Sequence, residues 1–136
     1  MAQPPVASVF SLGPVGQIGL YVADLDRAMA FYGETLGLKR LLLEAGRAVY
    51  DCGEVRLSLQ QSAQHAQLRP ASPICFRVAD IVGARRELEG RGVTFTDQAH
   101  MVAALPDHDV WMNYFQDPDG HPLALMTEGP KGFSLL

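Results

Sequence analysis

Residues 18–25 read Ile18-Gly19-Leu20-Tyr21-Val22-Ala23-Asp24-Leu25, and residues 74–81 read Ile74-Cys75-Phe76-Arg77-Val78-Ala79-Asp80-Ile81. Each stretch alternates apolar and variable positions and ends in Val-Ala-Asp. The alternation is the signature of a half-buried strand. The aspartate is placed to cap the helix that follows, accepting from its unpaired N–H groups. After the first copy, Leu25, Ala28, Met29, Tyr32 and Leu36 recur at helical spacing, and Gly37 supplies the stop. After the second, Ile81, Ala84 and Leu88 do the same, with Gly90 and Gly92 beyond. Arg85, Arg86, Glu87 and Glu89 read as that helix's solvated face.

Three strand-like runs complete each copy. In the first they are Lys39–Glu44, Arg47–Cys52 and Glu54–Gln61; in the second, Val93–Thr96, Val110–Gln116 and His121–Thr127. The run Asp97–Asp109 reads as a longer loop, a flap over a site. Leu57-Ser58-Leu59 matches Leu123-Ala124-Leu125, so the last strands repeat as well. The expected class is α+β: tandem βαβββ modules forming one eight-stranded, strongly curved mixed sheet, with a concave cup and the helices on the outer face. A single domain fills residues 1–136, with module one about 14–62, a linker at 63–71 and module two about 72–128. The extensions Ala2–Gly13 and Gly129–Leu136 would clasp a partner or cover the cup.

The chain of 136 residues is 48% apolar and 19% charged, the balance of a globular protein. Its net charge of −4 argues against a general nucleic-acid binder, which needs a basic face. No apolar stretch reaches the roughly 18 residues of a membrane span. The two cysteines, Cys52 and Cys75, sit in strand-like runs and read as buried thiols in a reducing cytoplasm. No P-loop or dinucleotide fingerprint is present, and no cofactor is expected.

The stretch "IGLYVADLDRAMAFYGETLGL" and the closing "YFQDPDGHPLALM", set in paired βαβββ units, resemble the vicinal oxygen chelate superfamily. That group includes glyoxalase I, extradiol dioxygenases, methylmalonyl-CoA epimerase and the fosfomycin- and bleomycin-resistance proteins. The resemblance spans about residues 15–128. These are structural signatures and do not select a reaction. In the metal-dependent members four inward positions hold the ion, usually as His or Glu and occasionally as Gln. Matched residue by residue, they fall here on Gln17, Ser58, Pro73 and Ala124. Pro73 and Ala124 offer no side-chain donor and Ser58 only a weak one, so the resemblance implies a degenerate metal site. A displaced site built from His100, His108 and Asp109 stays open as an alternative, and with it a metal-dependent lyase, isomerase or dioxygenase.

Strand parity places Gln17, Gly19 and Tyr21 on the cup side of the first strand and Arg56, Ser58 and Gln60 on that of the fourth. Pro73, Cys75 and Arg77 follow on the fifth, Met112 and Tyr114 on the seventh, Pro122, Ala124 and Met126 on the eighth; Trp111 and Phe115 go to the core. The expected ligand-binding cup is thus Gln17, Tyr21, Arg56, Ser58, Gln60, Arg77, Met112, Tyr114, Ala124 and Met126. Arg56 and Arg77 show no matching acid, which favours an anionic or carbonyl-bearing organic ligand. The other reading sends both arginines to solvent or a dimer interface. A third possibility is an interaction module whose cup is plugged by Tyr21, Met112 and Met126. A homodimer is implied by the resemblance. No nucleophile stands out at Ser58 or Cys75.

Overall fold

The computed structural model describes residues 10–132, so most of the N-terminal extension and the last four residues lie outside the described part. The first copy of the repeat forms β1 (Gln17–Val22), α1 (Leu25–Met29), β2 (Lys39–Glu44), β3 (Arg47–Cys52) and β4 (Val55–Gln61). The second forms β5 (Ile74–Arg77), α2 (Ile81–Gly90), β6 (His100–Ala104), β7 (His108–Gln116) and β8 (Pro122–Pro130). Both aspartates cap their helices: Asp24 accepts from the Arg27 N–H at 3.2 Å and Asp80 from the Gly83 N–H at 3.0 Å.

The first helix does not stay α-helical. Beyond Met29 it widens into a π-helical stretch, Ala30–Thr35, in which the Leu36 N–H reaches the Phe31 carbonyl at 2.8 Å. The apolar face survives the change, with Leu25, Ala28 and Tyr32 buried. Gly37 closes the element at φ +80°, a conformation that side-chain-bearing residues avoid.

The eight strands form two four-stranded sheets, ordered β1-β4-β3-β2 and β5-β8-β7-β6. In each, the outer pair β1–β4 or β5–β8 is parallel and the remaining pairs are antiparallel. The α+β class and the tandem βαβββ order stand, but the expected single continuous sheet is divided at β1 and β5, which are edge strands. Pro70 and Pro73, on the approach to β5, have no N–H with which to extend a ladder. α1 packs on β3 and β4, and α2 on β7 and β8. The helix-covered faces merge into one core that joins Leu20, Val22, Tyr32 and Leu57 to Ile81, Phe115 and Leu123. No helix among the described residues is long and apolar enough to cross a membrane.

The region after α2 departs most from expectation. Val93–Thr96 is not a strand; only Phe95 makes an isolated bridge, to Phe115. The sixth strand instead lies inside the expected flap, at His100–Ala104. Asp97 is the reason: its carboxylate accepts from Asn113 Nδ2 and the Tyr114 N–H, both at 2.8 Å, pinning the chain to β7 before β6 begins. Arg85 takes part as well. It bonds the Asp97 carbonyl at 2.9 Å and Asn113 Oδ1 at 3.2 Å and lies over the Phe95 ring, so it is not part of a purely solvated face.

Candidate functional site

The face of the first sheet away from α1 carries the residues that parity placed there. Gly19 stands opposite Ser58, and Tyr21 opposite Gln60. Gln17, Tyr21, Ser58 and Gln60 line a cavity of about 230 Å³ together with Gly19, Leu20 and Arg47. Arg47 was not foreseen. It lies opposite Gln60 on β3, and its signal is the same period-two parity, since Ala48 and Tyr50 face the core. Its Nε is buried without a hydrogen bond among the described residues, and Glu44 comes only to 3.8 Å. The guanidinium is therefore incompletely satisfied inside the cavity. Arg56, on β4 with Ser58 and Gln60, does not line this cavity; it sits opposite Gln17 and Asp51.

The equivalent face of the second sheet holds the rest of the expected set in consecutive rows. Cys75, Ala124 and Tyr114 stand abreast, as do Arg77, Met126, Met112 and His100. The Tyr114 hydroxyl points at the Met112 sulfur, 3.5 Å away, and its ring lies against His100. Trp111 and Phe115 pack with the core, as parity required. One expectation fails: Arg77 has a matching acid, Glu128, at 2.8 Å, and the pair is largely exposed. With Glu128 it lines a different, shallow cavity. The cavity that holds Gln17 and Ser58 draws all its lining from the first module.

The four positions that hold a metal elsewhere in the resembled superfamily offer one exposed amide at Gln17 and one buried hydroxyl at Ser58, beside Pro73 and Ala124. No carboxylate or imidazole is among them to offset the desolvation of a divalent ion, so these residues do not fit one. His100, His108 and Asp109 do not gather either. Asp109 stands opposite Ala104, at the far end of β6 from His100, a separation of roughly 13 Å at strand rise. His108 contacts Asp107 and Glu128, His100 contacts Asp97, and Asp109 binds Lys131 at 2.9 Å.

Among the described residues one compact group of carboxylates and imidazole exists, Asp117, Asp119 and His121, in the turn between β7 and β8. Most of its atoms are engaged with the protein, although Asp119 Oδ2 is buried without a hydrogen-bond partner among the described residues. Asp117 Oδ2 accepts from the Tyr32 hydroxyl and pairs with His121 Nδ1, both at 2.7 Å. Asp117 Oδ1 accepts from the N–H groups of Asp119 and His121. Asp119 Oδ1 holds the Ala23 N–H at 3.0 Å and Arg27 at 3.1 Å. Burial pushes the Asp117 carboxyl up, but the hydrogen bonds from His121 and Tyr32 outweigh it and hold it below the usual carboxylate range. Sequence reasoning saw this turn as a fold signature and missed that it ties the second module to the first. Burial raises both Cys52 and Cys75, which leaves neither thiol activated as a nucleophile.

Comparison with known proteins agrees with the fold. Among solved structures, the chain is similar to an integron cassette protein from the mobile metagenome of V. cholerae, at 23% identity and a TM-score of 0.71, covering 88% of this chain and 98% of that one. A glyoxalase/bleomycin resistance protein/dioxygenase from Nocardioides matches at 20% identity and TM-score 0.68, covering 93% and 92%. A member of the same superfamily from Sphaerobacter thermophilus matches at 24% identity and TM-score 0.68, covering 86% and 98%. These likenesses concern the fold. No curated protein matches the chain. The model of the glyoxalase/bleomycin resistance protein/dioxygenase superfamily matches residues 15–125, and the chain belongs to that superfamily.

Proposed function

We propose that this protein binds a small organic molecule, with an anionic or carbonyl-bearing end, on the concave side of its sheets and without a metal ion. The observation that carries the reading is the donor set: at the superfamily's ligand positions stand Gln17, Ser58, Pro73 and Ala124, while Arg47, Gln60 and Tyr21 surround the first two. Such a lining suits hydrogen bonding and charge pairing to a polar ligand end. It offers no group poised for covalent or acid–base chemistry, which favours binding over turnover.

A cup of useful depth needs the second sheet's face opposite the first, and we propose that a second copy of the chain supplies it. The outer edge strands support this. Leu41, Leu42 and Leu43 on β2 and Met101 and Val102 on β6 are all exposed apolar side chains on edges unpaired among the described residues. Exposed apolar edges are a liability unless covered. Sedimentation should give twice the 14.8 kDa chain mass; a monomer at micromolar concentration removes the shared cup.

Elemental analysis of protein purified without chelator tests the main reading. Metal well below one equivalent is expected, together with a small molecule detected by native mass spectrometry and weakened by Arg47→Gln. Stoichiometric Fe, Mn, Ni or Zn would establish the rival, a metal-dependent lyase, isomerase or dioxygenase.

A further inference from the structure

A second cavity, of about 430 Å³, opens where the edge of β1 meets the linker and the start of β5. Ile18, Leu20, Leu68 and Ile74 make its walls largely apolar, and Arg69 and His121 are its two strongly polar side chains. β1 divides it from the cavity described above, since Ser58, Gln60 and Arg47 line only the latter.

His121 is not a loose histidine. Its side chain is 1% exposed, and Nδ1 is held 2.7 Å from Asp117 Oδ2. An ionised carboxylate can only accept, so in the neutral ring Nδ1 carries the proton and Nε2 carries the lone pair. Nε2 has no hydrogen-bond partner among the described residues. Asp117 is itself fixed by the Tyr32 hydroxyl and two backbone N–H groups, so the ring cannot turn without breaking a buried network. The result is a preoriented hydrogen-bond acceptor in the lining of a cavity.

Arg69 supplies the complementary charge. It lies against the turn so closely that a Cβ on Gly120 would come 2.6 Å from its Nη1. It forms no ion pair among the described residues: Asp117 is held by His121, and Asp119 bonds Arg27 through Oδ1 while its Oδ2 is buried without a hydrogen-bond partner. A guanidinium without an acid, a fixed imidazole lone pair and apolar walls are a matched set for one kind of molecule.

We propose that this cleft binds a small hydroxy-carboxylic acid, its carboxylate on Arg69, its hydroxyl donating to His121 Nε2, and its hydrocarbon body against Ile18, Leu20, Leu68 and Ile74. The carboxylate must sit on the Arg69 side, because Asp117 lies behind the imidazole and repels a second anion there. A hydroxyl-free acid would leave the His121 lone pair buried and unpaired, so the site discriminates by that group.

Mandelate is a suitable probe, with phenylacetate lacking the hydroxyl and mandelamide lacking the charge. In NMR titrations of the full chain, mandelate should shift the His121 ring resonances saturably. Their assignment comes from the spectrum of His121→Gln. Phenylacetate and mandelamide should each bind roughly tenfold more weakly, the loss expected of one hydrogen bond involving a charged or buried partner. Arg69→Gln, at an exposed position that leaves the Asp117 network intact, should weaken mandelate and phenylacetate each roughly tenfold and leave mandelamide's poor binding little changed. Ser58→Val, in the other cavity, should leave mandelate binding unchanged. Failure of mandelate to move the His121 ring, equal binding of the three probes, or an unaltered affinity in Arg69→Gln each overturns the proposal. Loss of mandelate binding in Ser58→Val does so too, because the molecule would then occupy the cup. If mandelate binds as proposed while the protein carries stoichiometric metal, only the metal-free cup reading falls.

Discussion

Asp51 and Asp117 occupy equivalent places in the two modules, each at the turn from the third to the fourth strand. Both make the same local bond, Oδ1 accepting from the N–H two residues on at 2.9 Å. There the likeness ends. Asp51 makes no further side-chain hydrogen bond among the described residues and lies in a part-exposed turn, whereas Asp117 is 5% exposed and gathers Tyr32, His121 and a second backbone N–H. The module-one turn passes straight through Gly53 to β4. Its counterpart is longer, with Pro118, Asp119 and Gly120 carrying the chain out far enough to touch α1 and the end of β1. One local motif was thus kept in both halves, and one copy was converted into the joint between them.

Substitution breaks the comparison most visibly at the two aspartates. Asp117→Ala leaves the Tyr32 hydroxyl, the His121 ring and buried N–H groups without an acceptor, and should cost about 3 kcal/mol or more in urea unfolding. Asp51→Ala should cost about 0.5 kcal/mol, because water can replace it. Similar costs would mean that the turns are energetically alike and that Asp117 is no joint. Acid sharpens the same contrast. The folded-state pKa of Asp117 lies below its ordinary value of 3.8, so the native state holds fewer protons than the unfolded chain in that range. The stabilisation is present above the unfolded-state pKa and is lost as pH falls through the folded one. The urea midpoint of the native protein should therefore drop more steeply below about pH 4 than that of Asp117→Asn.

The sequence made the repeat, the caps and the parity of the strands legible because each rests on short-range periodicity. Ile18/Leu20/Val22 against Gln17/Gly19/Tyr21 is decided by neighbours two residues apart. Three things escaped it. The position of β6 depended on Asp97 bonding Asn113 and Tyr114, a contact across β7 with no local signature. The division into two sheets depended on what lies between the edges of β1 and β5. The joint at Asp117 depended on Tyr32, which helical periodicity had assigned to the core as an apolar residue. That assignment was right for the ring, which is fully buried, and silent about the hydroxyl. For the candidate site, parity found which residues face away from the helices, but not that Arg77 would meet Glu128 or that Arg47 would stay incompletely paired. Charges on strand faces are settled by partners that period-two patterning does not see.

Tyr32→Phe isolates the joint without touching the turn. Burial, with the Asp117 charge beside it, drives the Tyr32 phenol far above its ordinary range, so it stays a donor at every working pH. Removing one hydrogen bond to a buried carboxylate should cost about 1.5 kcal/mol, less than loss of Asp117 because His121 still serves that oxygen. The double variant Tyr32→Phe/Asp117→Ala should be no worse than Asp117→Ala alone, the non-additivity of two partners in one bond.

The smallest effect separates burial from distance. Arg77–Glu128 is the shorter ion pair, 2.8 Å against 3.1 Å for Arg27–Asp119. Yet Arg77 is 75% exposed and its partner a third exposed, while Asp119 is 5% exposed. Two solvated charges gain little by meeting, since water screens them and their side chains lose freedom. A buried carboxylate that loses its cation keeps its desolvation cost. Arg27→Ala should therefore lower stability by about 1 kcal/mol, and Arg77→Ala by about 0.2 kcal/mol or less. Added salt at 1 M should erase the Arg77 difference and only part of the Arg27 one, because the Debye length shrinks to about 3 Å in solvent but not beneath the turn. If Arg77→Ala proves the more costly, the contact between the modules is a surface embellishment, and the buried Asp117–Tyr32 bond alone holds the turn to the first helix.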